Sequence, residues 1–257
     1  MGKRIGILKD NGDVIFKEGA LGAGWTNAEI SGVKQIALSG QRIGVVKADG
    51  SALARDWSIG QGWILETDGV QQIALTGNRL GVLKSNGDFI FKDGTLGAGW
   101  SGVELQKVTQ IAMSGERIAA LDSGGQVFAR DWTTPEGWTL MADGTQVSLT
   151  GTRVGVLKKG GDLIFKEGTL GAGWNNGDIS GVTQVAMSGQ RIGVVTNDAN
   201  ASVSAKTSMP QLLMNRALRV RFTSPVTSCR RLNEFIAIAR PDHATLRRNR
   251  MSTPRRF

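Results

Sequence analysis

Trp57 and Trp132 each end an Arg-Asp-Trp triplet, so an indole stands beside a carboxylate, Asp56 or Asp131, and a guanidinium. An aromatic face flanked by hydrogen-bonding groups suits a sugar ring, whose CH face stacks on the indole while its hydroxyls find polar partners. Five more tryptophans, Trp25, Trp63, Trp100, Trp138 and Trp174, each follow a glycine at matching places. A side chain of this size buries about 150–250 Å², worth roughly 4–6 kcal/mol, which suits packing between structural units. Left exposed, the same five would form a row of ligand platforms. Trp57 and Trp132 are the sharper candidates: glycine replaces them in alternate segments, so the scaffold does not require an aromatic there.

Charged pairs recur alongside them: Lys17/Glu18, Arg55/Asp56, Lys92/Asp93, Arg130/Asp131 and Lys166/Glu167. Neighbouring residues of a strand point to opposite faces, so one of each pair faces an adjoining unit and the other faces solvent. The acids are thus either ion-paired between units or available to sugar hydroxyls and acetamido groups. Asp13, Asp88 and Asp162 recur singly in matching turns. Glycoside hydrolysis needs one asymmetric pair of carboxylates at a set separation, so the repetition argues for binding without catalysis. No His or Cys precedes residue 198, which removes Ser-His-Asp and Cys-His nucleophiles and imidazole–thiolate zinc sites from that part. The glycine-rich loops beginning at Gly19, Gly94 and Gly168 lack the helix and acidic partner of a dinucleotide site. No cofactor or metal is expected.

The elements that must position these residues repeat. An Arg-(Ile/Leu/Val)-(Gly/Ala) motif begins at Arg4, Arg42, Arg79, Arg117, Arg153 and Arg191, marking five complete repeats of about 37 residues. Alternate repeats are most alike. One type reads GDVIFKEGALGAGW (12–25), GDFIFKDGTLGAGW (87–100) and GDLIFKEGTLGAGW (161–174); the other reads GSALARDWSIGQGW (50–63) and GQVFARDWTTPEGW (125–138). Asn-Gly and Asp-Gly pairs mark hairpins, because both central residues of a type I′ turn need positive φ. Each repeat carries about four short strands, and no stretch keeps a helical apolar period. Four-stranded units at a constant period imply an all-β fold, a β-propeller. The blade count stays open at five or six. In a five-bladed ring, residues 182–187 would supply the strand missing ahead of Arg4; strict alternation instead wants a sixth blade starting at Arg191.

Residues 198–257 depart from this pattern. They hold 12 Lys/Arg against three Asp/Glu and no Gly or Trp, whereas residues 1–197 balance 19 against 19, so the whole formal charge of +9 lies in the tail. The domain reading is therefore a repeat domain over 1–197 and an irregular, Arg-rich tail over 198–257. Two explanations stay open: a sixth blade read out of frame from about residue 199, or a native basic tail attracted to phosphate or membrane surfaces. Residues 212–220 and 232–239 have the pattern of short helices. A single cysteine excludes an internal disulfide. No apolar run is long enough to span a membrane, and the first residues are too short an apolar stretch for a secretory signal. The chain reads as cytoplasmic as written, or secreted within a larger protein.

The stretch Arg-Ile-Gly-Val-Leu-Lys-x-(Asn/Asp)-Gly, followed by Lys-Glu-Gly-x-Leu-x-Ala-Gly-Trp and Ser-Gly-Val-x-Gln-(Ile/Val)-Ala-(Leu/Met)-Ser-Gly, resembles the repeats of tachylectin/tectonin-type β-propeller lectins. The resemblance covers about residues 1–197 and implies multivalent glycan binding, often of N-acetylated sugars, between blades or at blade-edge loops. Such a location includes the Gly-Trp and Asp-Trp segments, and with the recurring charged pairs the candidate ligand residues are Trp57, Trp132, Asp56, Asp131, the five Gly-Trp indoles, Glu18, Asp93 and Glu167. A chain without tyrosine cannot carry over any family site that uses one. The other reading is a structural or protein-interaction propeller, with nucleic acid as a partner only for the basic tail.

Overall fold

The computed structural model describes residues 4–20 and 22–197, together with the backbone of Ala201–Ala205 and Leu218–Val220. Six antiparallel sheets follow one another along the chain. Sheet 1 holds β1 (Arg4–Leu8), β2 (Val14–Glu18) and β3 (Thr26–Asn27); sheet 2 holds β4 (Val33–Ser39), β5 (Arg42–Lys47), β6 (Ala52–Asp56) and β7 (Ile64–Thr67). Sheet 3 holds β8 (Val70–Thr76), β9 (Arg79–Lys84) and β10 (Phe89–Lys92). Sheet 4 holds β11 (Val108–Ser114), β12 (Arg117–Asp122), β13 (Gln126–Asp131) and β14 (Thr139–Asp143). Sheet 5 holds β15 (Gln146–Thr150), β16 (Arg153–Leu157), β17 (Leu163–Lys166) and β18 (Asn175–Asn176). Sheet 6 holds β19 (Val182–Ser188), β20 (Arg191–Thr196), β21 (Ala201–Ala205) and β22 (Leu218–Val220). No helix occurs among the described residues, and the expected β-propeller is what the chain forms.

The five-bladed closure through residues 182–187 is not the arrangement found. β19 pairs with β20, Ser188 opposite Arg191, instead of with β1. The hairpin turn carries Gly189 at φ +55, and closing so short a loop costs far less entropy than recruiting the distant N-terminal strand. Two strands past Asn197 complete sheet 6, with Arg191 opposite Ala205. Of the helix expected over 212–220, residues 218–220 form a strand, and the tail expected to be irregular from 198 carries the strands Ala201–Ala205 and Leu218–Val220; the rest of the tail, 232–239 included, lies outside the described residues.

The first strands β4, β8, β11, β15 and β19 contact one another in sequence, which places them innermost and the last strand of each sheet outermost. Two repeated residues make this stacking possible. Glycine stands third in the Arg strand because the next sheet lies directly on it: a Cβ on Gly44 would come within 2.7 Å of Ile73, and one on Gly6 within 3.0 Å of Leu38. Glutamine in the inner strand clamps the backbone of the next inner strand. Gln72 donates to Ile111 O and accepts from Ile111 N, both at 2.8 Å; Gln110 does the same to Val147 and Gln146 to Val185. A β-bulge stands beside Gln35, Gln72 and Gln110, while Gln146 makes the same clamp from a strand in regular register.

One repeat breaks its own turn rule. Gly32, Gly69 and Gly181 take φ of +69, +66 and +67 before the inner strand, and Lys107 takes φ +57 at the same place. A left-handed L-residue costs roughly 1–2 kcal/mol, partly offset by the greater freedom that glycine brings to the unfolded chain. Lys107→Gly should therefore raise the unfolding free energy by about 0.5–1 kcal/mol, read from urea midpoints at unchanged slope.

Candidate functional site

The recurring charges meet at the sheet junctions. Arg4, Arg42, Arg79, Arg117 and Arg153 are all buried, at 3–7% exposure. Each pairs across its own hairpin with an acid and then reaches the sheet that follows. Arg42 binds Asp56 at 3.0 Å and donates to Asn78 O at 2.7 Å. Arg117 binds Asp131 at 2.7 Å and donates to Thr152 O at 2.5 Å. Arg4 joins Glu18 at 2.9 Å and Gln41 O at 2.8 Å, Arg79 joins Asp93 at 2.5 Å and Glu116 at 3.0 Å, and Arg153 joins Glu167 at 2.6 Å and Gln190 at 2.7 Å. All five candidate acids are therefore ion-paired.

Their acidities follow. Burial pushes the carboxyls of Asp56 and Asp131 up, but hydrogen bonds from Ser58 or Thr133 and from Arg42 or Arg117 outweigh it, and both stay below the usual aspartate range. The Arg4 hydrogen bond, helped by Gln41, lowers Glu18, and the Arg153 hydrogen bond lowers Glu167. Carboxylates held this way stabilise the fold above the ordinary carboxyl range and release that stability as the pH falls through their own lowered values.

The tryptophans sit in the same junctions. Trp57 sets its ring against Phe16 of sheet 1 at 4.8 Å and against Trp63 at 5.7 Å, both edge to face. Arg55 lies over it at 4.3 Å and Arg4 at 5.6 Å. Trp132 repeats the arrangement with Phe91 at 4.7 Å, Trp138 at 6.0 Å, Arg130 at 4.2 Å and Arg79 at 5.4 Å. Trp63 donates to Ala28 O at 2.8 Å and Trp100 to Glu66 O at 3.1 Å, each in the preceding sheet. The Nε1 of Trp138 is buried without a partner. In the alternate repeats the lysine of the charged pair covers the indole: Lys17 over Trp25 at 4.8 Å, Lys92 over Trp100 at 5.1 Å and Lys166 over Trp174 at 4.5 Å. Of the seven, Trp25 is the exposed one, at 44%.

Two lysines at equivalent places differ in their surroundings. Lys92 forms a fully enclosed ion pair with Glu66 of sheet 2. Counted from the preceding Gly-Trp, the place of Glu66 in sheet 4 is taken by Met141, a core residue. Lys166 is as buried as Lys92 and donates to Leu170 O at 2.6 Å, and among the described residues it forms no ion pair. Burial, with Arg117 nearby, lowers its pKa.

An open cleft of about 390 Å³ lies between Asp68, Lys84, Asn86, Asp88, Ile90 and Val103. Among the described residues no cluster of His, Cys, Asp or Glu could hold a metal ion, and no helix is long and apolar enough to cross a membrane. The recurring glutamines were the junction residues hardest to assign a role from sequence. Their signal is a glutamine near the start of each inner strand, after Val-x in four repeats and after Gly144-Thr145 in the other, which reads simply as alternation in a strand.

No known protein family matches the chain, and no curated protein matches it either. Solved structures do. Prp20p from Saccharomyces cerevisiae, described with its binding to Gsp1p and histones, superposes with a TM-score of 0.61 at 11% identity over 79% of this chain and 69% of that one. Kluyveromyces lactis Hsv2 gives 0.58 at 10% identity over 75% and 67%. YCF48 bound to a D1 peptide gives 0.50 at 14% identity over 78% and 74%. At such identities the likeness carries the β-propeller fold.

Proposed function

We propose that this chain is a non-catalytic β-propeller that binds a protein partner along its outer rim. One observation carries the reading. Among the described residues the exposed large apolar side chains apart from Ile7 are Trp25, Ile59, Leu65, Val103 and Leu140, and all five lie in the outer segments that come after the strand following the Arg strand, β2, β6, β10 or β13. Leu65 and Leu140 hold the same place on the outermost strands β7 and β14, at 56% and 53% exposure. Apolar side chains beside the free edge of a strand offer a partner main-chain hydrogen bonds and contact area together. Proteins of this fold with protein or peptide ligands, Prp20p with Gsp1p and histones and YCF48 with its D1 peptide, make such use of a propeller familiar. The glycan reading has less support, because guanidinium groups and neighbouring rings already cover Trp57 and Trp132, and lysines lie over the half-buried Trp100 and Trp174.

The test selects displayed peptides on the full chain and measures the best binder against Leu65→Glu/Leu140→Glu. Affinity should fall at least about tenfold, the effect of losing roughly 1.4 kcal/mol, at unchanged thermal stability. Binding indifferent to the double variant, with a saturable change in tryptophan fluorescence on adding N-acetylated sugars, would replace this reading by the glycan one.

A further inference from the structure

Sheet 1 differs from the others on its inner side. In sheets 2 to 6 the Arg strand is bordered by an inner strand: VKQIALS on β5, VQQIALT on β9, VTQIAMS on β12, QVSLT on β16 and VTQVAMS on β20. β1, with the same Arg-Ile-Gly pattern, is an edge strand among the described residues, in the order β1-β2-β3. Ile7 is 41% exposed on the face of sheet 1 turned away from sheet 2, while its counterparts Val45, Val82, Ala120 and Val156 are at 0% and Val194 at 5%, Val45 and Val194 being packed with residues of the preceding sheet. Residues 182–187, which carry the inner-strand sequence, are engaged as β19.

The edge has a defined hydrogen-bonding face. Lys9 N–H donates to Asp13 O, so by antiparallel alternation Ile5 and Ile7 bond to β2, while the backbone groups of Gly6 and Leu8 face the open side. In sheet 2 the matching residues Gly44 and Val46 stand opposite Ala37 and Gln35.

Two sockets on sheet 2 extend it. At three junctions an inner-strand glutamine both donates to and accepts from the backbone of the next inner strand at Ile111, Val147 or Val185, and Gln35 takes the N–H of Ile73 at 2.9 Å. The equivalent residue facing the gap is Ile36, whose backbone receives no such side chain among the described residues. Likewise Thr76, Ser114 and Thr150 accept from the N–H of Gly115, Gly151 and Gly189. Gly40 is the counterpart facing the gap.

We infer that the open edge of β1 binds an extended segment of the form Val-x-Gln-(Ile/Val)-Ala-(Leu/Met)-(Ser/Thr) presented by another polypeptide. Its main chain pairs with Gly6 and Leu8, its glutamine spans the Ile36 amide group, its hydroxyl accepts from Gly40, and its apolar residue covers Ile7. The internal repeats specify this occupant residue by residue, which an apolar patch alone would not. The site lies on the inner side of the sheets, independent of the outer-rim reading.

The experiment titrates the full chain with the peptide Val-Lys-Gln-Ile-Ala-Leu-Ser-Gly and follows amide hydrogen exchange. In the free chain Gly6 and Leu8 should exchange at least about tenfold faster than Gly44 and Val46, and saturating peptide should remove that difference. Exchanging the peptide's glutamine for alanine should weaken binding roughly tenfold. Leu65→Glu/Leu140→Glu should change neither result. Gly6 and Leu8 already as protected as Gly44 and Val46 without peptide, or unprotected at saturating peptide, would overturn the inference.

Discussion

Lys92→Met should lower the unfolding free energy by about 3–5 kcal/mol, whereas Lys166→Met should leave it within about 1 kcal/mol of the parent or raise it. The two lysines occupy the same place in their repeats, and both are buried at 4–5% exposure. Removing Lys92 strands the Glu66 carboxylate, whose side chain is at 0% exposure, and a buried charge without its partner is among the costliest defects a core can carry. Nothing comparable is stranded at Lys166, because Met141 stands where the acid would be, and a methionine side chain fills similar volume against Trp174 and Leu170. The pH dependence separates them further. Burial and Arg117 depress the Lys166 pKa in the folded chain, so folding disfavours its protonated form. The native chain should therefore gain stability as the pH rises from its depressed value toward the ordinary lysine range, and Lys166→Met should abolish that gain. Denaturant unfolding of both variants between neutral pH and pH 10 checks both statements. Equal losses at the two sites would contradict the assignment of Glu66 as the cause.

Much of this architecture was legible before any coordinates, and what was missed has physical reasons. The hairpin glycines, the alternating apolar residues and the 37-residue period lead directly to short antiparallel strands in repeated sheets. The recurrence of a cation beside an acid announced ion pairs, but not which cation: the acid's partner is the buried arginine at the start of the hairpin, Arg42 for Asp56, while the adjacent Arg55 turns to Glu29 at 2.9 Å. Neighbours in a strand point opposite ways, so the pair in sequence is not the pair in space. The glycine at the place of Trp57 and Trp132 suggested a dispensable aromatic. In the repeats that carry the glycine, a lysine lies over the later indole instead. The blade count turned on whether β19 pairs forward or closes onto β1, and strand pattern alone gives no preference between two partners of the same sequence type.

Trp57→Ala tests the central claim, that the repeated aromatic and charged residues are spent holding one sheet to the next. The substitution removes the edge-to-face contacts with Phe16 and Trp63 and the cover over Arg4 and Arg55, leaving a half-buried void at the first junction. Aromatic pairs contribute about 0.5–1.5 kcal/mol beyond area and cation–π contacts about 0.5–1, on top of the lost apolar burial. The urea unfolding free energy of the variant should fall by about 2–4 kcal/mol. An unchanged unfolding free energy would contradict the claim and return the indole to the role of a ligand platform.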